Sequence, residues 1–276
     1  MSELQSITGR QPQRSPQDVL AAIKIGEALI QADLYQIDLT GFDLQNSNLS
    51  GATLIRANLS QANLTASNLS ASDLRGASLS KTILREANLQ GACLYRADLS
   101  GADLTGANLM DATMKGARYD SQTIFPEGFM YKTSGAIGPR ANLNGEPLNV
   151  CNLRNADLQE ANLLGAYLSG ADLTGANLRS ARLVQADLRK CFLTGAFLRN
   201  ARMNGANLSG VDLRAADLTG ADFEDFESIA GADFSYVQGL TPEKRTRLLC
   251  RATKELETLH PITLKTTLES LSLILP

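Results

Sequence analysis

From Leu34 a leucine returns at every fifth position through Leu109, sixteen in unbroken register, and Met114 and Tyr119 prolong the series. A second series runs from Leu143 to Phe223, where all but Met203 and Phe223 are leucine. The position two before each leucine is usually alanine (Ala57, Ala62, Ala97, Ala102, Ala156, Ala161, Ala171, Ala176) and otherwise often small, as at Ser67, Ser72, Thr82, Cys151 and Cys191. Asp or Asn commonly precedes the leucine, and the rest is polar or Gly, giving the unit A-(D/N)-L-x-x. A helix advances about 100° per residue, so steps of five would carry the leucines about 140° around it each time. On a strand, odd spacing would alternate them between faces. If each unit instead forms one side of a square coil, twenty residues close a turn and every leucine points to the axis. Coils then stack at about 4.8 Å. Each buried leucine contributes roughly 1.5 to 3 kcal/mol before chain entropy is counted, and the small residue beside it fits the space left over.

Runs such as ADLSGADLTGANL (Ala97 to Leu109) and ADLTGANL (Ala171 to Leu178) resemble the pentapeptide-repeat family over roughly residues 32 to 235. The resemblance implies an all-β solenoid, a right-handed quadrilateral β-helix, the handedness resting on the family alone. Leucine-rich repeats need mixed spacings and the left-handed β-helix a period of six, so uniform fives exclude both.

The punctuation predicts the organisation. After a tail, Ser15-Pro16-Gln17-Asp18 supplies an N-cap, a proline at N1 and an acid at N3, and Val19, Leu20 and Ile23 share a face: a capping helix within residues 1–28. The first repeat block covers 29–121 and the second 141–235. Between them, 122–140 carries Pro126, Gly128, Gly135, Gly138 and Pro139 and reads as an irregular loop, with Ile124 as a last inward site. Thr241-Pro242-Glu243 starts a second capping helix within 236–260, with Leu248, Leu249, Ala252, Leu256 and Leu259 on one side. The tail 261–276, holding Leu268, Leu271, Leu273, Ile274 and Leu275, is too apolar to be free; it packs on its own chain or on a second copy. Dimerisation through C-terminal elements is what the resemblance implies, so a homodimer through this segment is one expectation.

Composition narrows function by exclusion. Lys plus Arg is 26 against 29 Asp plus Glu, a net charge of −3, so direct nucleic-acid binding is not expected. The 4 cysteines form no C-x-x-C pair, the 1 histidine, His260, sits in no metal-ligand set, and Cys151 and Cys191 read as core fillers in a reducing compartment. The N-terminus MSELQSITGRQPQRSP has no apolar region, no stretch is long enough to span a membrane, and a cytoplasmic location is expected. No nucleophile elbow, P-loop or zinc motif appears, and Asp residues repeating around a filled rod have no pocket to tune them, so neither catalysis nor a cofactor is expected.

Outward positions are the candidates for binding. Because residues twenty apart stack, Asn48, Asn68, Asn88 and Asn108 should form a structural amide ladder. Arg56, Arg75, Arg96 and Lys115 lie beside Tyr35, Ile55 and Tyr95, while Arg179, Arg182, Arg199 and Arg202 converge near one edge of the second block. Leu164, Val184, Tyr167, Phe192 and Phe197 should face water unless the tail or a partner covers them. Phe129 and Tyr131 sit in the central loop, and loops of this kind contact targets in the family. The candidate partner-binding residues are therefore Phe129, Tyr131, Arg179, Arg182, Arg199, Arg202, Phe192 and Phe197. The expected function is a non-enzymatic scaffold or regulator that presents its faces to a protein partner. The alternative implied by the family is a mimic of duplex DNA that binds gyrase, for which Asp222, Glu224, Asp225, Glu227 and Asp233 form the acidic segment.

Overall fold

The structure, a computed structural model, describes residues 14–222 and 225–273. Phe223, expected inward from the sequence, the acidic Glu224, the tail residues Ile274 and Leu275 and the N-terminal tail before Arg14 lie outside them. The chain divides into two compact units, Met1–Ile137 and Gly138–Pro276.

Within each unit the repeat is held by single parallel bridges in place of extended strands. The residue before each leucine pairs with the residue twenty further on, as in Asp33 with Thr53, Thr53 with Asp73 and Asp73 with Cys93 in the first unit, and Asn142 with Asn162, Asn162 with Arg182 and Arg182 with Arg202 in the second. Four such positions recur per twenty residues, so each coil has four bridged sides.

One five-residue unit shows why the sequence takes this form. Leu64 donates its N–H to Ile83 in the next coil (2.7 Å), and Ala66 donates to Arg85 (2.8 Å). Ser67 closes the corner onto the Leu64 carbonyl (3.1 Å), and Asn68 donates back to Ser47 in the preceding coil (2.8 Å). The fifth N–H, that of Thr65, is taken by the side-chain Oδ1 of Asn63 (3.1 Å). A backbone N–H left unpaired in a packed coil is destabilising, so the Asp or Asn before each leucine is the corner's cap. The same contact recurs from Thr40 to Asp38, Ser100 to Asp98 and Thr174 to Asp172, each 3.0 Å.

The leucines fill the inside. Leu34 through Leu109 are all buried, as are the inward residues from Leu143 to Leu218, Met203 included. Most of the small neighbours are buried beside them, Cys151 only partly, and polar ones find carbonyls: the Ser67 and Ser72 hydroxyls donate to Leu64 and Leu69, and Thr82 to Leu59, each at 2.7 Å. Cys191, 1% exposed, directs its thiol at the Leu168 carbonyl, and burial pushes its pKa up to about 12.

The ends depart from the repeat. Helix α1 (Pro16–Lys24) begins at Ser15, whose hydroxyl accepts from the Asp18 N–H while the Asp18 carboxylate accepts from Ser15 in return. It buries Val19 and Ala22. The single helix expected over the second end is instead broken. Helix α2 (Pro242–Leu249) stops at Cys250, and α3 (Thr253–Leu256) restarts after it. Leu248 and Leu256 are buried but Leu259 is exposed, so the five apolar residues do not share one face.

The described part of the tail also has structure. Leu259 pairs antiparallel with Thr266, and α4 (Thr267–Leu271) packs on its own unit. The Ser270 hydroxyl accepts from the Phe234 N–H (3.1 Å), Thr267 donates to the Ile229 carbonyl (3.1 Å), and Leu271 is fully buried. His260 is buried, its Nδ1 accepting from the N–H groups of Ile262 (3.3 Å) and Thr263 (3.1 Å).

Residues 122–140 are not irregular throughout. Ile124 pairs with Asp103 and Ile137 with Arg118, so bridging continues on both sides of a short helical turn, Tyr131–Thr133. Ile124 is not inward: it occupies the bridge position and is 51% exposed. One residue is added between Asp103 and Ile124, and another between Asn207 and Ser228, each interval being 21. After the second addition, Ile229 and Phe234 take up inward sites with no exposure.

Candidate functional site

The eight candidate residues separate into two groups. Phe129 and Tyr131 belong to the first unit, where they stack with Phe125 at ring-centroid distances of 5.7 and 4.7 Å. Phe125 and Tyr131 in turn meet Tyr119 edge-on, at 5.3 and 5.5 Å. The loop aromatics thus fold back on their own unit, leaving Met130 as the exposed apolar tip.

The other six lie in the second unit. Asn177, Phe197 and Asp217 occupy successive coils of one side, and Asn162, Arg182, Arg202 and Asp222 successive coils of the next. Arg179 and Arg199 stand at the turns joining these two sides. The Arg179 guanidinium lies over the Phe197 ring, 4.6 Å from its centroid, and Nη1 donates to Asn177 Oδ1 at 3.1 Å. Arg199 pairs with Asp217 at 3.1 Å. Burial acts to raise the Asp217 carboxyl, but hydrogen bonds from Thr219 and the charges of Arg199 and Arg179 outweigh it, so its pKa lies below the ordinary carboxylate value. Phe192 stands one side earlier, half-buried between Asp172 and Asp212 of the adjoining coils, and does not join the arginine group. The tail does not hide these residues: Tyr167 is 54% and Phe197 40% exposed.

Two features of the group were absent from the sequence reading. In the coils of the second unit, arginines otherwise find a carboxylate: Arg140 at Glu160, Arg154 at Asp172, Arg189 at Asp187 and Arg214 at Asp212. Among the described residues Arg179, Arg182 and Arg202 have no such ion pair. Their spacing signals this. A corner arginine pairs two residues back, as Arg189 with Asp187, eighteen ahead, as Arg154 with Asp172, or twenty ahead, as Arg140 with Glu160; for Arg179 those positions hold Asn177, Phe197 and Arg199.

Secondly, Arg182, Phe192, Phe197, Arg202 and Tyr167 all occupy the bridge position where the repeat places Asp or Asn, and so forgo the corner cap. Positions that break the local rule of a regular fold are where function is expected to reside. The acids that keep the rule serve as caps and ion-pair partners. Among the described residues no group of three or more His, Cys, Asp or Glu side chains could hold a metal ion.

Comparison with known proteins identifies the repeat. The family model for pentapeptide repeats matches residues 32–70, 62–101, 96–118, 151–189 and 186–225. The chain belongs to the pentapeptide-repeat family. This pentapeptide-repeat protein is similar to HetL, a pentapeptide repeat protein involved in heterocyst differentiation regulation from the cyanobacterium Nostoc sp. strain PCC 7120. The two are 31% identical over 82% of this chain and 98% of that one, with a TM-score of 0.31. It is also similar to alr5209, a pentapeptide repeat protein from Nostoc PCC 7120, with 32% identity over 47% of this chain and 100% of that one and a TM-score of 0.33. The plasmid-mediated fluoroquinolone resistance protein QnrB1 is 19% identical over 73% of this chain and 83% of that one, with a TM-score of 0.25. No curated protein matches the chain. Among the described residues no helix is long and apolar enough to cross a membrane.

Proposed function

We propose that this protein is a non-enzymatic scaffold or regulator in the cytoplasm, whose repeat units are right-handed quadrilateral β-helices presenting their outer sides to a protein partner. The carrying observation is the contrast between the two surfaces of the coil. Inside, buried leucine and alanine line the coils; outside, Arg179, Arg182 and Arg202, which form no ion pair among the described residues, stand beside an exposed Phe197. Arginine and aromatic side chains together are the residues most enriched where proteins bind one another. The family likeness to a protein involved in differentiation regulation supports a regulatory role.

The gyrase-binding alternative draws less support. It needs acidic columns free to imitate phosphates, whereas Asp172, Asp187, Asp212 and Asp217 each carry an arginine. Affinity capture from the native cell, repeated with Arg179→Glu and Arg199→Glu together, tests the first reading: a stoichiometric partner should be recovered with the wild type and lost with the variant. A DNA supercoiling assay with gyrase and a fluoroquinolone should show neither inhibition nor protection; either effect would instead establish the alternative.

A further inference from the structure

Resting on the scaffold reading, we infer that the partner element held by Arg179, Arg182 and Arg202 is a short acidic helix with carboxylates on one face. Arg182 and Arg202 are bridge-paired on adjacent coils, which places two exposed arginines on one side with their backbones at the coil spacing of about 4.8 Å. Like charges directly opposite one another oppose folding, and the two positions also lack the Asp or Asn cap of the repeat. Among the described residues neither arginine forms an ion pair, and both are exposed.

The extent of the patch identifies its ligand class. It is two coils deep. In the coil before it, Asp157 is bridge-paired to Asn177; in the coil after it, Asp217 is bridge-paired to Phe197 and Asp222 to Arg202. A long polyanion such as a nucleic-acid duplex would run from the arginines onto these carboxylates and be repelled. A short segment would not. On a helix, side chains four apart lie about 5 to 6 Å from each other, close to the coil spacing, so Glu or Asp at i and i+4 meets Arg182 and Arg202 in register. The ring of Phe197, stacked under Arg179, supplies the apolar contact beside the charges.

The test uses the full chain and fluorescence polarisation. The probe is a labelled alanine-rich helix of about 20 residues with glutamates at i, i+4 and i+8; a second probe has the same composition with its glutamates spread around the helix, and a third is a short DNA duplex. The one-faced probe should bind about tenfold tighter than the spread probe, a difference of about 1.4 kcal/mol, and lose affinity as salt rises. Arg182→Asn with Arg202→Asn restores the repeat's own residue at both positions, so it should fold at least as well while abolishing the tenfold preference. Arg140→Asn, which removes an arginine paired elsewhere, should leave the preference intact. A preference below twofold, its survival in the double variant, or tighter binding of the duplex would overturn the inference. If the native partner were captured equally by the double variant, the acidic helix would fall while the scaffold reading stood; absence of any partner for the wild type would remove the latter.

Discussion

Arg179 places its guanidinium 4.6 Å from the ring centroid of Phe197, the residue eighteen positions further on. Elsewhere the same offset joins arginine to a carboxylate, as Arg85 to Asp103 and Arg154 to Asp172. A phenylalanine therefore stands where the fold would accept an ion pair and a corner cap. Phe197→Asp should raise the unfolding free energy, by less than about 1 kcal/mol because Asp217 opposite it offsets part of the added cap and ion pair, while weakening partner binding. Urea denaturation checks the first part; a fall of comparable size would show that ring packing outweighs the cap.

Glycines of the repeat are not equivalent, although all share a positive φ. At Gly91 (φ +66°) an added Cβ would touch nothing, and Gln61, Lys81 and Arg96 adopt nearly the same angle with side chains. Gly91→Asn should therefore alter stability by less than about 1 kcal/mol. At Gly239 (φ +75°) a Cβ would fall on the backbone N and Cα of Thr219, which no rotamer change relieves. Gly239→Ala should lower stability by at least about 2 kcal/mol, measured by thermal unfolding of the two variants side by side. Equal losses would mean the last coil is looser than its geometry shows.

Most of the fold was legible because one period governs it. Leu34 to Leu109 and Leu143 to Leu218 announce a buried line, and of the ladder read as Asn48, Asn68, Asn88 and Asn108, all four stack and the last three join amides, at 3.4 and 3.2 Å. What escaped were departures from the period. Ile124 looks inward by composition, yet the residue added between Asp103 and Ile124 moves it to the bridge position. The break between α2 and α3 follows from no proline or glycine; it lies at Cys250–Ala252, where the Arg251 guanidinium reaches the Phe226 and Glu227 carbonyls. At the candidate site, residue types and side were visible, but which arginines have carboxylate partners among the described residues depends on side-chain reach between coils, which the period does not encode.

Position within the five-residue unit should govern the response to truncation. Leu74 is fully buried, and Leu74→Ala leaves a cavity in a closely packed interior, with an expected loss of about 2 to 5 kcal/mol. Val150, 79% exposed at a corner, should tolerate alanine within about 0.5 kcal/mol. Chemical denaturation of the two variants distinguishes the inward line from the outer surface; similar losses would contradict the stacked coils.

Acid should destabilise the second unit in two separate windows. Burial holds His260 below its ordinary pKa, against the opposing pull of Asp212 and Asp233. In the fold its Nδ1 accepts two backbone N–H groups, so protonation there removes both bonds. The unfolded chain thus binds the proton more readily, and stability should decline as pH falls below the unfolded value of about 6.5 until the folded pKa is passed. Asp212 and Asp233 act lower on the scale. Burial alone would raise both, but hydrogen bonds from Arg214 to Asp212, and from Ser235 and Thr263 to Asp233, outweigh it and depress their pKa values. Their contribution is complete above the unfolded value of about 3.9 and is lost as pH drops through the folded pKa. Unfolding free energy measured from pH 8 to pH 3 should therefore fall in two steps. His260→Asn, which offers an amide oxygen to the same two N–H groups, should flatten the upper step and leave the lower one. Persistence of the upper step in that variant would assign it to another group.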